Sequence, residues 1–111
     1  MFRDSRLENN GDVGIFMRDS QANRFEKLSI IGSGNHGVFL SRAESELSCP
    51  NDNTFHDLVV ERSLGAAFRL NNACRGNRLT GSTHFLKNRD GCISEDTAAQ
   101  LEVSGEFVCE N

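Results

Sequence analysis

Three sets of residues carry the types and spacing that chemistry would need. The first is His36, flanked by Asn35 and Gly37, with Asp90 as the acid nearest to it once the chain is folded into its repeat. A glycoside hydrolase needs two carboxylates roughly 5–10 Å apart across the scissile bond. Asp19 and Asp96 fall in one column of the repeat, but Arg42 and Asn72 stand between them. His36 is therefore a weak catalytic candidate, with Asp90 beside it, and a turn residue is the plainer reading. The second set is Glu44, Glu46 and Asp52, which could gather a hard cation such as Ca²⁺. A solvated acidic loop explains them as well, and no metal site is assigned. The third set is Phe16, Phe39 and Arg69, which recur at outward-facing positions and are followed by Ile93. Stacked outward rings beside a guanidinium form a contact surface, because exposed apolar patches mark binding or cover.

The elements that position these residues are read from a repeat. The stretch from Asn23 to Leu40, NRFEKLSIIGSGNHGVFL, returns about 23 positions earlier and about 30 later. Asn23 maps to Asn53 and Asn77, and Phe25 to Phe2, Phe55 and Leu79. Ile30 maps to Leu7 and Val60, Val38 to Ile15, Phe68 and Cys92, and Leu40 to Met17 and Leu70. Periods of this length mark repeat architectures. Within each unit apolar residues alternate, as at Leu28/Ile30 and Val38/Leu40, so the pieces are short strands. The fold expected is all-β, a solenoid of four to five coils over about 1–22, 23–52, 53–75 and 76–100, closed by strand segment 101–111. In the fourth coil the alternation does not decide whether His84 or Phe85 points inward. Asn23, Asn53 and Asn77 either bond one another in a ladder, which their recurrence favours, or each closes a local turn. Arg3–Glu26–His56 and Asp4–Lys27–Asp57 form outward columns of alternating sign.

Laid out in coils, the chain resembles the right-handed parallel β-helix, or pectate-lyase-like, superfamily. The stretches that carry the likeness are NRFEKLSIIGSGNHGVFL, NTFHDLVVERSLGAAFRL and GNRLTGSTHFLKNRDGCIS, and it extends over roughly residues 1–96. It is closest to the generic repeat segments of carbohydrate-binding and sugar-hydrolase-type domains. The resemblance implies polysaccharide lyases, hydrolases and uronate epimerases, together with non-catalytic adhesins and fibres. Gly34-Asn35-His36-Gly37 is similar to the Gly-His-Gly of galacturonan hydrolases, but the paired adjacent aspartates are missing. The acidic-Pro-His-acidic string of the epimerases does not occur. The expectation is an extracytoplasmic domain that binds or processes polysaccharide, with a non-catalytic spacer or stacking module as the alternative. Fold alone does not settle which.

Composition narrows the rest. The 111 residues suffice for one domain, and 37% hydrophobic content without Trp or Tyr suits a thin apolar column better than a large core. A net charge of −4 argues against nucleic acid as a partner. No apolar run approaches membrane-spanning length, and MFRDSRLENN lacks the apolar stretch of a signal peptide. Phe2 already occupies a core position. The first coil is thus expected to abut either the remaining coils of a longer chain or another subunit. The cysteines Cys49, Cys74, Cys92 and Cys109 allow three pairings. Cys49–Cys74 and Cys92–Cys109 suit the layout, and disulfides would place the chain outside the cytoplasm, extracellular or periplasmic. Four buried thiols are the alternative.

Overall fold

A computed structural model describes residues 2–18, 21–41, 50–71, 74–95 and 101–110. These residues form fourteen short strands and no helix. The first coil holds β1 (Phe2–Arg3), β2 (Arg6–Glu8) and β3 (Ile15–Met17). The second holds β4 (Arg24–Glu26), β5 (Ser29–Ile31) and β6 (Val38–Leu40), and the third β7 (Thr54–His56), β8 (Val59–Glu61) and β9 (Phe68–Leu70). The fourth holds β10 (Asn77–Thr80), β11 (Ser82–Leu86) and β12 (Ile93–Glu95), and β13 (Leu101–Val103) and β14 (Glu106–Glu110) follow. Strands in equivalent positions pair in parallel, giving three sheets: β1-β4-β7-β10-β13, β2-β5-β8-β11-β14 and β3-β6-β9-β12. The expected solenoid is therefore the fold.

Alternation decides which side chains enter the lumen. Phe2, Phe25, Phe55, Leu79 and Val103 lie in one register column, and Leu7, Ile30, Val60, Phe85 and Cys109 in a second. Phe85 is fully buried and His84 faces outward, which answers the question left open by the fourth coil. Phe25 and Phe55 stack at 4.6 Å with rings 3° from parallel, and Phe2 stacks on Phe25 at 5.1 Å. Parallel rings follow from parallel strands in register, each at the spacing of one strand.

The third column corrects the sequence reading. Phe68 pairs with Ile93, not Cys92, so the column runs Ile15–Val38–Phe68–Ile93. Ile93 is thus an inward residue, and Ser94 takes the outward place opposite Arg69. The reason is one extra residue at the first corner of the fourth coil. Two residues, Asp57 and Leu58, join His56 to Val59 in the third coil, whereas Gly81, Ser82 and Thr83 join Thr80 to His84 in the fourth. Asp57 Oδ1 accepts the Ser82 N–H at 2.8 Å and so holds the longer corner in place.

Each corner turns through left-handed backbone, and these residues stack as well. The first corner has Asp4, Lys27, Asp57, Gly81 and Gly105; the second Asn9, Gly32, Arg62 and Lys87; the third Ala22, Asp52 and Gly76. A residue with a β-carbon is strained there by about 1–2 kcal/mol. The strain persists because the strands on either side fix the corner from above and below.

The asparagine ladder is formed. Asn53 Oδ1 accepts from the backbone and side-chain N–H groups of Asn23 at 2.9 and 3.1 Å. Asn77 Oδ1 accepts likewise from Asn53 at 3.1 and 3.0 Å, and Asn77 Nδ2 donates to the Pro50 carbonyl at 2.8 Å. The expected charge column is also in register, with Arg3 and Glu26 3.3 Å apart.

Cys92 and Cys109 form a disulfide with Cα atoms 6.1 Å apart. Its place explains it. A β-carbon on Gly14 would run into Ile30 Cγ2, and one on Gly37 into Val60 Cγ1. Small residues in the column Gly14–Gly37–Ala67–Cys92 thus face the larger residue of the next coil, and Cys92–Cys109 is the covalent version of that contact. Cys74 is buried, and its expected partner Cys49 lies outside the described residues. Closing a loop of 17 residues stabilises by about 3 kcal/mol. Cys109→Ser is therefore expected to lose about that much and to speed amide exchange in β13 and β14 before β5 and β8. Equal exchange rates in the variant and the parent would contradict it.

Candidate functional site

The outer face of the third sheet carries the candidate site. In β3 and β6, Ile15, Met17, Val38 and Leu40 turn toward the lumen, so Phe16 and Phe39 are forced outward. Register sets Phe39 between Phe16 and Arg69. The rings of Phe16 and Phe39 meet edge to face at 5.3 Å, 83° between planes, and Phe16 is 52% exposed. Such a pair contributes about 0.5–1.5 kcal/mol beyond burial, yet leaves one face of Phe16 to solvent.

His36 joins this strip, which alternation could not foresee because it lies in the bend before β6. Its ring stands edge-on to Phe39 at 5.4 Å. The bend brings it there because Gly34 packs against the Gly11 carbonyl with no room for a β-carbon, and Gly65 lies directly against the imidazole. His36 Nδ1 accepts the Ala66 backbone N–H at 3.0 Å. Burial, aided by the Arg69 charge, lowers its pKa, with Asp90 and Asp12 opposing. The ring is then neutral at pH 7, and with Nδ1 occupied its proton sits on Nε2. In this form His36 offers a hydrogen-bond donor and no free base.

Arg69 lies flat along the sheet: its Nη1 donates to the Leu70 carbonyl at 2.8 Å and the Ser94 carbonyl at 3.3 Å. Asp90 falls in the column of Asp12, Asn35 and Gly65, one position from that of His36 and two coils away, its N–H bonded to the Gly65 carbonyl at 3.1 Å. The structure thus gathers Phe16, Phe39, Arg69 and His36, while Asp90 reaches His36 only as a distant charge. Asp19, Arg42, Glu44, Glu46, Asn72 and Asp96 lie outside the described residues. Asp52 is a corner residue whose carboxylate rests against Gly76. Among the described residues no group of three or more His, Cys, Asp or Glu is placed to hold a metal ion. Nor is any helix among them long and apolar enough to cross a membrane.

With the coils and their outer face established, comparison with known families is informative. The family model for the right-handed β-helix region matches residues 1–108. The chain belongs to the right-handed β-helix family. No curated protein and no solved structure matches it. The parallel sheets and stacked lumen columns are those of a right-handed β-helix. The outer faces, where side chains are released from lumen packing, carry the candidate site.

Proposed function

We propose that this β-helix domain binds polysaccharide on the outer face of its third sheet, without itself cleaving the chain. The observation that carries this reading is the half-exposed Phe16 ring, set edge to face on Phe39 in a strip with His36 and Arg69. Sugar rings present apolar C–H faces and a rim of hydroxyls. A phenyl face takes the first, and the His36 Nε2–H and the guanidinium take the second. Three parallel strands hold these groups on a rigid surface, so little entropy is lost on binding. The Cys92–Cys109 disulfide supports a place outside the cytoplasm, where such chains occur.

The test is retention of the purified domain in affinity gels cast with neutral and acidic plant and bacterial polysaccharides. At least one is expected to retard it. Phe16→Ala combined with Phe39→Ala is expected to weaken that retention at least ~10-fold, as for a central contact residue. Circular dichroism would check that both proteins keep the same β spectrum. No retardation by any polymer, or equal retardation of the variant, would refute the proposal.

A further inference from the structure

In the bend before β9, backbone N–H groups tie the third coil to its neighbours. The Leu64 N–H donates to the Ser33 carbonyl and the Gly65 N–H to the Asn35 carbonyl, and the Ala67 N–H donates to the Gly91 carbonyl, each at 3.0 Å. Ala66 breaks the series. Its N–H donates to a side chain, the Nδ1 of His36, at 3.0 Å. Its carbonyl accepts the Gly37 N–H at 3.0 Å, so His36 and Gly37 together hold both polar groups of one peptide unit. Ala66 is completely buried, and a buried N–H has no water to replace a lost acceptor.

The ring has little freedom to adjust. A β-carbon on Gly65 would stand 2.6 Å from Nδ1, and Phe39 meets the imidazole at 5.4 Å. A flip of the ring would turn a carbon toward Ala66, and carbon accepts no hydrogen bond. Only the neutral imidazole keeps a lone pair on Nδ1, because the imidazolium carries a proton on both nitrogens. Protonation therefore sets one N–H against another at a buried amide.

The charges that face His36 come from three coils. Arg69, on β9, opposes a second positive charge, while Asp90, before β12, and Asp12, before β3, favour it. Burial is the largest influence, and the ring stays below its ordinary pKa of about 6.5. The Ala66 N–H pulls the same way, since it bonds only to the neutral form.

We infer that His36 is an acid-sensitive clasp between the second and third coils: taking up a proton drives its ring off the Ala66 N–H and out of the strip shared with Phe39 and Arg69. The opening is local, because β6 and β9 stay paired beside it. Its sign follows from linkage. The opened bend takes up the proton at the ordinary pKa and the closed bend only at a lower pH. The closed bend is thus fully stable above about pH 6.5, and that stability is lost as pH falls toward the closed-state value. Any effect on ligand rests on the polysaccharide reading, but the clasp itself does not.

Hydrogen exchange of the free domain tests this, followed amide by amide from about pH 7.5 to about pH 4.5 and corrected for the intrinsic pH dependence of exchange. Protection at the Ala66 amide is expected to fall roughly 2- to 10-fold on acidification, the effect of one lost hydrogen bond. The Gly37 amide should follow it, while Ile30 and Val60 hold. His36→Asn puts an amide oxygen where Nδ1 stood and does not titrate, so Ala66 should stay protected throughout. His56 and His84 remain in that variant, so a loss that they cause would persist in it. If His36→Asn proves unprotected at every pH, the wild-type ring decides by its own titration: the His36 ring and the Ala66 amide should shift with one midpoint, below about 6.5. Ala66 protection that holds while the His36 ring takes up its proton would overturn the inference. So would an equal acid loss in His36→Asn, or a ring midpoint at or above the ordinary value. No polysaccharide enters the experiment, so its failure leaves the binding proposal standing, and failure of the binding proposal leaves the clasp.

Discussion

Phe55→Ala is expected to cost about 3–5 kcal/mol, the range for truncating a fully buried aromatic. The domain as a whole is stabilised by about 5–15 kcal/mol, so the variant should stand at the edge of unfolding. The size follows from position. Phe55 is completely buried, face to face with Phe25 on one side and edge-on to Phe68 at 5.2 Å on the other. Neither neighbour can collapse into the space, because each is held by its own strand in the ladder. A cavity therefore remains, and its cost adds to the lost burial. Phe2 stands in the same column but is 56% exposed, so Phe2→Ala should cost under about 1 kcal/mol, having little burial to lose. Phe55→Leu should lose less than half as much as Phe55→Ala, since Leu79 already fills the same column one coil on. Urea titration followed by circular dichroism measures all three. Similar losses for Phe2→Ala and Phe55→Ala would mean that the rings are not stacked as described.

That contrast also shows how much of the architecture was legible in the residues. The Phe, Leu and Asn columns were visible because the fold repeats the same demand at the same place in each coil. Outward Phe16 and Phe39 were visible for the same reason, as the positions between two lumen residues. The register of the fourth coil was not. One residue added at the first corner leaves Leu79 in its column but moves every later residue by one, so Ile93, and not Cys92, lies on Phe68. The left-handed corners were hidden too, because Asp, Lys, Asn, Arg, Ala and Gly share those columns. Gly, Asp and Asn, which enter that conformation most readily, fill most of those places, and the pairing of the flanking strands holds Lys27, Arg62, Lys87 and Ala22 in it as well. His36 escaped as a member of the aromatic strip because it sits in a bend, where alternation has no meaning. Its contact with Phe39 depends on the space left by Gly34 and Gly65.

The Asn ladder provides the second large effect, and a sharper test of register than any apolar column. Asn53→Ala is expected to cost about 2–4 kcal/mol, although the side chain removed is small. Two terms make up the loss. Asn53 Oδ1 accepts two N–H groups from the half-buried Asn23, and losing each of these bonds costs about 0.5–1.5 kcal/mol. On the other side Asn77 Oδ1 loses the Asn53 amide but keeps its bond from the Asn53 backbone N–H, so the damage there is smaller. The damage is thus directional: it falls chiefly on the coil of Asn23, through a residue 30 positions away in sequence. Asn77→Ala should remove the acceptor for both Asn53 donors and so loosen the coil of Asn53 instead. Hydrogen exchange distinguishes the two. Protection at the Asn23 amide should fall in Asn53→Ala, and protection at the Asn53 amide should fall in Asn77→Ala. If each variant instead loosened only the turn around its own position, the asparagines would be closing local turns, and the coils would be held in register by the lumen side chains alone.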